Sequence, residues 1–173
     1  DCRGTPRRPA AFAVYRRMNG RFVLDNTVLS GFAAVGWLSS LGVWHPEYEL
    51  TTPEQLWTDE FRPNHDHERP AWLTVQPVER QVDPERTGQL SDTDWRCLSL
   101  ANRLGAVLVT RDAPLKRRAN EEGVRTKWQG SLLIETFETC GITTTAYQES
   151  VGSYLANAHL STGVEDEIRA AEK

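Results

Sequence analysis

The chain has 173 residues, of which 39% are hydrophobic and 25% are charged, and it contains only three cysteines. This composition excludes a collagen-like chain, a disulfide-rich scaffold and a disordered tail. The formal net charge of -4 at pH 7 argues against a protein that coats nucleic acid through bulk positive charge. A chain of this length is expected to bury one sizeable hydrophobic core.

The charge is unevenly distributed along the chain. Residues 1–17 contain five arginines and one aspartate, so they carry a formal charge of +4 and leave -8 on the remainder. They show no hydrophobic periodicity, whereas a strand and helix pattern begins just after Met18. We therefore predict that residues 1–17 form a basic leader, non-native or disordered, and that residues 18–173 form a single domain. A basic arm that contacts RNA is the alternative.

The apolar runs and the cysteines bear on the cellular compartment. No stretch reaches the 18 or more apolar residues that a membrane-spanning helix needs, and Ala10 to Tyr15 is too short for the core of a signal peptide. Cys2, Cys97 and Cys140 are widely spaced with no C-x-x-C pair, which argues against a disulfide framework and a zinc knuckle. We predict a cytoplasmic protein without a membrane partner, in which each cysteine is a small apolar filler.

The first half of the chain alternates short apolar runs with helical patterns. Strands are predicted at Phe22 to Leu24, at Tyr48 to Thr51 and within residues 71–78. A helix from Val28 to Leu41 follows the first strand, and a second helix is predicted from Pro53 to Phe61. Residues 62–70 are polar and are predicted to form a loop, in which His65 and His67 are exposed to solvent.

The second half continues the same alternation. Ser91 is predicted to begin an amphipathic helix that Gly105 ends, and Val107 to Val109 is an apolar run typical of a strand buried on both faces. A helix from Asp112 to about Glu122 precedes a last strand, Val124 to Trp128, and residues 130–140, 143–156 and 164–172 have helical patterns. Strands separated by helices predict a three-layer α/β/α sandwich with a central parallel sheet of about five strands.

Acidic residues follow the predicted strands or begin the helices beside them. Ligands of open parallel sheets bind outside the carboxyl ends of the strands, where Asp25, Asp94 and Asp112 are expected to meet, with Asp59 or Glu60 nearby. Each acid also has a structural explanation, because aspartates cap helix N-termini and Ser91 with Asp94 forms a capping box. Two carboxylates about 4 Å apart repel by roughly 4 kcal/mol at an effective dielectric constant of 20, so a cluster favours a bound cation. Oxygen ligands alone favour Mg²⁺ or Mn²⁺ over zinc.

Three segments resemble the PIN domain, in order and at suitable spacing, over about Met18 to Gly141. They are Phe22-Val-Leu-Asp25-Asn-Thr-Val-Leu-Ser30, Leu90-Ser-Asp-Thr-Asp94 running to Leu100-Ala101, and Leu108-Val-Thr110-Arg-Asp112. The resemblance implies an α/β/α fold and a metal-dependent ribonuclease, most often a toxin of the VapC kind from a toxin-antitoxin pair.

Carried onto this chain, the family's metal-binding acids are Asp25, Asp94 and Asp112. The remaining acid of the family's site is Glu60, which precedes Phe61, or alternatively Asp59. Asn26, Thr27 and Thr110 occupy the positions of the residues that support these acids. Two departures from the family are visible: Asn26 and Thr27 stand in permuted order, and Pro114 replaces a further acid, which puts a full second metal site in doubt.

The resemblance implies a Mg²⁺- or Mn²⁺-dependent endoribonuclease that cleaves single-stranded or looped RNA. Basic residues must surround an acidic site if it is to attract phosphate, and the candidates here are Arg111, Lys116, Arg117 and Arg118. A solvated helix face is an equally good explanation of these residues. A small antitoxin protein and a second copy of the chain are the expected protein partners.

Other functional classes remain open. A catalytically inactive PIN-like binding or scaffold module is the main alternative. A phosphatase of the haloacid dehalogenase type would use Asp25 as its nucleophile, but it needs a second aspartate where Thr27 stands. A response-regulator receiver needs a lysine at the end of a late strand, for which Lys127 is a weak candidate.

Overall fold

The computed structural model of the chain describes residues 20–45, 47–79 and 90–141, together with positions 145, 148, 149 and 152. The predicted leader of residues 1–17 and the predicted helix 164–172 lie outside the described residues, as does the predicted helix 143–156 apart from those single positions. In chain order the strands and α-helices are β1 (Gly20–Leu24), α1 (Asn26–Ala34), β2 (Tyr48–Pro53), α2 (Arg62–Asn64), β3 (Leu73–Gln76), α3 (Asp92–Leu104), β4 (Val107–Thr110), α4 (Ala113–Glu121), β5 (Thr126–Trp128) and α5 (Gln129–Cys140). A 3₁₀ helix, Leu38–Trp44, follows α1, and a π-helix, Leu56–Phe61, leads into α2.

The five strands form one parallel sheet in the order β3-β2-β1-β4-β5. The predicted parallel sheet of about five strands is therefore confirmed. β1 lies at the centre, and Val23 and Leu24 are completely buried because helices cover both faces of the sheet. The chain moves outward from β1 through β2 to β3, then returns to the other side of β1 for β4 and β5.

Helices pack against the sheet in two groups. The helix α1, the 3₁₀ helix and α5 contact one another, whereas α3 packs on the central strands β1, β2 and β4 and also contacts α4. Together with the sheet they form the predicted three-layer sandwich. The core between the layers consists of fully buried side chains, among them Phe32, Leu41, Leu98 and Leu108.

The sequence signals at the ends of α3 and α4 act as predicted. The hydroxyl of Ser91 accepts a hydrogen bond from the Asp94 N–H, the Asp94 carboxylate accepts one from the Ser91 N–H, and this capping box begins α3. Gly105 ends α3 in the left-handed conformation with φ of 60°. Asp112 caps α4, and a proline in its first turn removes an N–H that would have no partner there.

The first predicted helix, from Val28 to Leu41, is wrong as a continuous element. The structure ends α1 at Ala34, and Gly36 takes a positive φ of 75° that no right-handed helix accommodates. The 3₁₀ helix then leaves at 118° to α1. This change of direction brings the indole Nε1 of Trp44 to 3.1 Å from the Thr136 hydroxyl of α5, to which it donates a hydrogen bond.

The second predicted helix begins one residue later than expected, because Glu54 and Gln55 are already helical. Pro53 is the last residue of β2, and the wide turns of the π-helix cover Leu56–Phe61. The predicted exposure of the histidines is only half right, because the His65 ring is partly buried and stacks on Phe61 with 4.7 Å between ring centroids, whereas His67 is exposed.

The cysteines divide into different roles. Cys97 is free and completely buried in α3, as expected of an apolar filler. Cys140 takes part in a disulfide bond, so the expectation of a simple filler is wrong there. Cys2 lies outside the described residues.

Among the described residues, no single helix is long and apolar enough to cross a membrane. In this part of the chain, α1 and the 3₁₀ helix are long and apolar enough only when taken together, and they form a bent pair. Their apolar side chains belong to the hydrophobic core.

Leu108 offers a test of the core, because its side chain is completely buried in β4 near the middle of the sheet. We expect Leu108→Ala to lower the free energy of unfolding by about 2–5 kcal/mol, since it removes buried methyl groups and leaves a cavity. Urea denaturation followed by circular dichroism measures this loss. The exposed Thr74 of the edge strand β3 provides the control, and a comparable loss in Thr74→Ala would contradict the assigned core.

Candidate functional site

The predicted acids lie at the carboxyl edge of the sheet, around the point where the strand order reverses between β1 and β4. Asp25 directly follows β1, Asp112 follows β4 after one residue, and Asp94 lies in the first turn of α3. In open parallel sheets the chain crossings leave in opposite directions at such a point and open a crevice there. The fold therefore provides a place where these side chains meet.

Asp25 is the most enclosed acid of the site, with only 2% of its surface exposed. It caps α1, and its Oδ1 accepts hydrogen bonds from the backbone N–H of Thr27 and from the Thr27 hydroxyl, the latter at 2.7 Å. Its Oδ2 accepts a hydrogen bond from the buried hydroxyl of Thr110 at the end of β4. The carboxylate thus joins the ends of the two central strands.

Both threonine hydroxyls are oriented by the loop that follows β4. The backbone N–H of Arg111 donates to the Thr27 hydroxyl at 3.1 Å, and the backbone N–H of Asp112 donates to the Thr110 hydroxyl at 2.9 Å. Because each hydroxyl oxygen accepts from an N–H, its own proton is directed towards Asp25. The predicted supporting roles of Thr27 and Thr110 therefore match their contacts, whereas the Asn26 side chain accepts a hydrogen bond from Ser30 and does not contact Asp25.

Asp94 and Asp112 each cap a helix with part of the carboxylate. The Oδ2 of Asp94 accepts from the Ser91 N–H at 3.0 Å, and the Oδ1 of Asp112 accepts from the Leu115 N–H at 2.7 Å. No hydrogen bond from another described residue reaches the second oxygen of either carboxylate. The structural role and a binding role are therefore compatible in the same side chain.

Glu60 and Asp59, the two alternatives for the remaining acid, have different surroundings. The Oε1 of Glu60 accepts a hydrogen bond from the hydroxyl of Thr93, the residue before Asp94, so Glu60 is tied to the first turn of α3. Asp59 is exposed and accepts a hydrogen bond from its neighbour Thr58. Glu60 is therefore tied to the helix that carries Asp94, whereas the hydrogen bond of Asp59 is to its own neighbour in the chain.

The pKa values show that the carboxylates interact. Burial raises the pKa of Asp25 to about 6, although the hydrogen bonds from Thr110 and Thr27 lower it, and the charge of Asp94 adds to the rise. Burial also raises the pKa of Asp94, and the charge of Asp112 contributes. The thiol of Cys97 below them has a pKa well above its usual value, mainly through burial and then through the charges of Asp25, Asp94 and Glu60.

Within the described residues, no arginine or lysine forms an ion pair with Asp25, Asp94 or Asp112. The ion pair of the neighbouring Asp92, at 2.7 Å, goes to Arg96 on the same helix. The negative charges of these three carboxylates are therefore not neutralised by a basic side chain of the described residues.

The basic residues near the site differ in what they contact. Arg118 forms ion pairs with Glu122 at 2.9 Å and Glu121 at 3.7 Å, and it lies over the Trp95 ring. The ammonium of Lys116 lies 3.9 Å from the centroid of the Trp128 ring, and desolvation lowers its pKa. Arg117 is exposed, and Arg111 is half-buried with its backbone N–H in the hydrogen-bond network around Asp25.

The chemistry of the site and its geometry differ in how well they suit a metal ion. In chemical type the donors fit Mg²⁺ or Mn²⁺, because carboxylate oxygens without hydrogen-bond partners come from Asp94, Asp112 and Glu60. In geometry, the part of the chain that the structure describes contains no group of three or more His, Cys, Asp or Glu side chains arranged to hold a metal ion.

Comparison with known proteins gives no match: no family model fits the chain, and neither a curated protein nor a solved structure is similar to it.

The raised pKa of Asp25 predicts a specific dependence of stability on pH. The unfolded chain releases this proton near pH 3.8, but the folded chain keeps it up to about pH 6. Between pH 3.8 and about pH 6 the folded state binds more protons than the unfolded state, so the free energy of unfolding falls as the pH rises. Above about pH 6 the loss of free energy of unfolding stays constant. We expect Asp25→Asn, which has no such proton to lose, to gain stability relative to the native chain from pH 4 to pH 7, by at most about 3 kcal/mol.

Urea unfolding of both proteins at a series of pH values measures this difference. Leu108→Ala is the control, because it removes no titratable group and its destabilisation should not change with pH. A difference between Asp25→Asn and the native chain that is equal at pH 4 and pH 7 would contradict the assigned environment of Asp25.

Proposed function

We propose that this protein is a Mg²⁺- or Mn²⁺-dependent endoribonuclease. The observation that carries the proposal is the placement of Asp25, Asp94 and Asp112 at one edge of the sheet, where no basic side chain of the described residues pairs with them. The charge of Asp94 contributes to the raised pKa of Asp25, and the charge of Asp112 contributes to that of Asp94. Keeping carboxylates together without compensation costs free energy, and a divalent cation would remove that cost.

Asp25, Asp94 and Asp112 would hold the cation, with Glu60 near it, directly or through water. Among the described residues, Asp94, Asp112 and Glu60 each have one carboxylate oxygen to which no hydrogen bond is donated, so these oxygens are available to a cation. When bound, a divalent cation polarises a phosphodiester oxygen and lowers the pKa of a water molecule, which supports hydrolysis to a 5′-phosphate and a 3′-hydroxyl.

The protein's own contribution is to fix the position of the acids. The hydroxyls of Thr27 and Thr110 hold the Asp25 carboxylate in one orientation, and the Thr93 hydroxyl holds Glu60. Side chains that are held in place before the substrate binds do not have to reorganise during the reaction.

The substrate we propose is single-stranded or looped RNA. Its phosphates would be met by Arg111, Lys116 and Arg117, which have no ion-pair partner among the described residues. Arg118 contributes less, because its guanidinium is already paired with Glu121, the last residue of α4, and with Glu122, the residue after it.

The likeness of the three sequence segments to PIN domains supports the further proposal of a VapC-type toxin with a small antitoxin partner, a homodimeric assembly and a cytoplasmic location. A catalytically inactive PIN-like binding or scaffold module is the alternative, and the metal experiment below separates it from the nuclease.

The nuclease proposal predicts that Asp25→Asn and Asp94→Asn each lower the rate of Mg²⁺-dependent RNA cleavage by about 100-fold or more, because each removes a charge that would hold the cation. The measurement is the cleavage rate of a labelled RNA that contains single-stranded loops, with and without Mg²⁺. Asp92→Asn is the matched control, since Asp92 lies in the same helical turn as Asp94 but pairs with Arg96. Undiminished cleavage by both site variants would overturn the assignment.

Metal binding is testable without knowledge of the RNA. Mg²⁺ or Mn²⁺ at about 100 times its Kd should stabilise the folded chain by about 2.7 kcal/mol, seen as a higher Tm, and Asp112→Asn should abolish this gain. Calorimetric titration with the same ions provides a direct check. A chain that neither binds these ions nor is stabilised by them would be the scaffold module.

A further inference from the structure

A cavity of about 260 Å³ lies at the amino-terminal edge of the sheet, opposite the acidic site. Its lining comes from Arg21 in β1, Tyr48 and Glu49 in β2, and Trp72 just before β3. None of these residues belongs to the candidate active site. The volume suits one flat ring or one side-chain head group rather than a large ligand.

Two aromatic rings form walls of the cavity, and the surrounding packing holds both. Tyr48 stacks on Phe22 with 4.8 Å between ring centroids and an angle of 10°, and it meets the edge of Trp44 at 6.0 Å. Gly20 lies so close that a Cβ there would be 2.5 Å from the Tyr48 ring. Trp72 is held in the same way, because a Cβ at Gly42 would be 2.6 Å from its Cδ1. The rings are thus fixed before any ligand binds.

The polar part of the lining places hydrogen-bond donors beside acceptors. Arg21 and Glu49 are register partners on adjacent strands, and the Arg21 Nε lies 2.9 Å from the Glu49 Oε2. The terminal nitrogens of Arg21 and the Oε1 of Glu49 have no partner within the described residues. Both side chains are partly exposed, so these donors and this acceptor are accessible to a ligand.

A nucleobase combines the properties that this lining requires. Its faces stack on aromatic rings, and its edge carries acceptors for a guanidinium next to N–H donors for a carboxylate. The lining offers a phosphate no excess of positive charge, because it contains Glu47 and Glu49 beside Arg21 and His45. The base, and not the backbone of the nucleic acid, is the part that matches.

We propose that the cavity binds one unpaired base of single-stranded RNA, stacked on Trp72 or Tyr48 and hydrogen-bonded to Arg21 and Glu49. The bound base would be a second contact between the protein and the nuclease's RNA substrate, so this inference rests on the proposed nuclease function. Arg21 lies near the start of β1 and Asp25 directly follows its end, so the two sites are about 13 Å apart along the strand axis, at opposite edges of the sheet. An RNA that reached both sites would pass over the helices that cover the sheet.

Nuclear magnetic resonance of the full chain with labelled indole groups tests the cavity without any cleavage. The Trp72 indole resonance is identified by its disappearance in Trp72→Phe, and free nucleosides, which carry no phosphate, are then titrated in the absence of divalent ions. We expect this resonance to shift with a Kd on the order of 1 mM, as suits a single base. The absence of a shift at 20 mM nucleoside would overturn the inference. The same titration with a blocked arginine amide tests whether the cavity takes an arginine side chain, and a shift with this compound but not with nucleosides would also overturn the inference.

The contribution to RNA binding is measured with an uncleaved eight-nucleotide single strand under the same conditions. Trp72→Ala should weaken binding about tenfold, and Trp72→Phe should restore most of the affinity because it keeps a stacking face. Arg21→Met should weaken binding more than Arg125→Met, which removes the same charge from an exposed site where Arg125 contacts the Gly105 carbonyl. Equal effects of the two arginine variants would overturn the role of Arg21.

The outcomes separate this inference from the proposed function. Nucleoside binding by a chain that cleaves no RNA would refute the nuclease and support the cavity. Mg²⁺-dependent cleavage by a chain whose Trp72 resonance does not respond to nucleosides would support the nuclease and overturn the cavity.

Discussion

The candidate site depends on one buried carboxylate. Asp25 receives hydrogen bonds from Thr27 at the start of α1 and from Thr110 at the end of β4, and the loop after β4 donates to both threonine hydroxyls. An unpaired buried charge would cost several kcal/mol, so these donors make the arrangement possible. They do not cancel the cost of burial, because the pKa of Asp25 remains raised to about 6. The site is therefore held together by a group that the fold accommodates at some expense.

The same helix caps that explain the acids structurally also bring them together. Asp94 uses one oxygen for the capping box of α3, and Asp112 uses one for the first turn of α4. Both helices begin at the carboxyl edge of the sheet, so their capping residues necessarily face the crevice beside Asp25. The capping roles of Asp94 and Asp112 therefore do not argue against the proposed metal binding, because the same geometry places both residues beside Asp25.

The sequence predicts the parallel sheet and most element boundaries because apolar runs such as Val107 to Val109 need burial on both faces, and because Ser91 and Gly105 are strong local signals. The sequence wrongly predicts that the first helix continues past Ala34, because the apolar residues before and after Gly36 keep a helical spacing. The bend depends on tertiary contacts, such as that of Trp44 with Thr136, which the local sequence does not show. The different surroundings of Glu60 and Asp59 likewise depend on a contact that is distant in the chain, that of Glu60 with Thr93, 33 residues away. The cavity between Arg21 and Trp72 has no local signal, because it is formed by three strands that meet only in the folded chain.

The central position of β1 determines when this architecture can assemble during synthesis. Asp25 is made early, but its Thr110 partner follows 85 residues later, and β1 has β4 as its neighbour only once that segment has left the ribosome. Until then the first strand has one open side and the acid has no donor from β4. A nascent chain therefore carries most of the sheet without its carboxylate site, and any activity of that site begins only when the second half of the chain has been made.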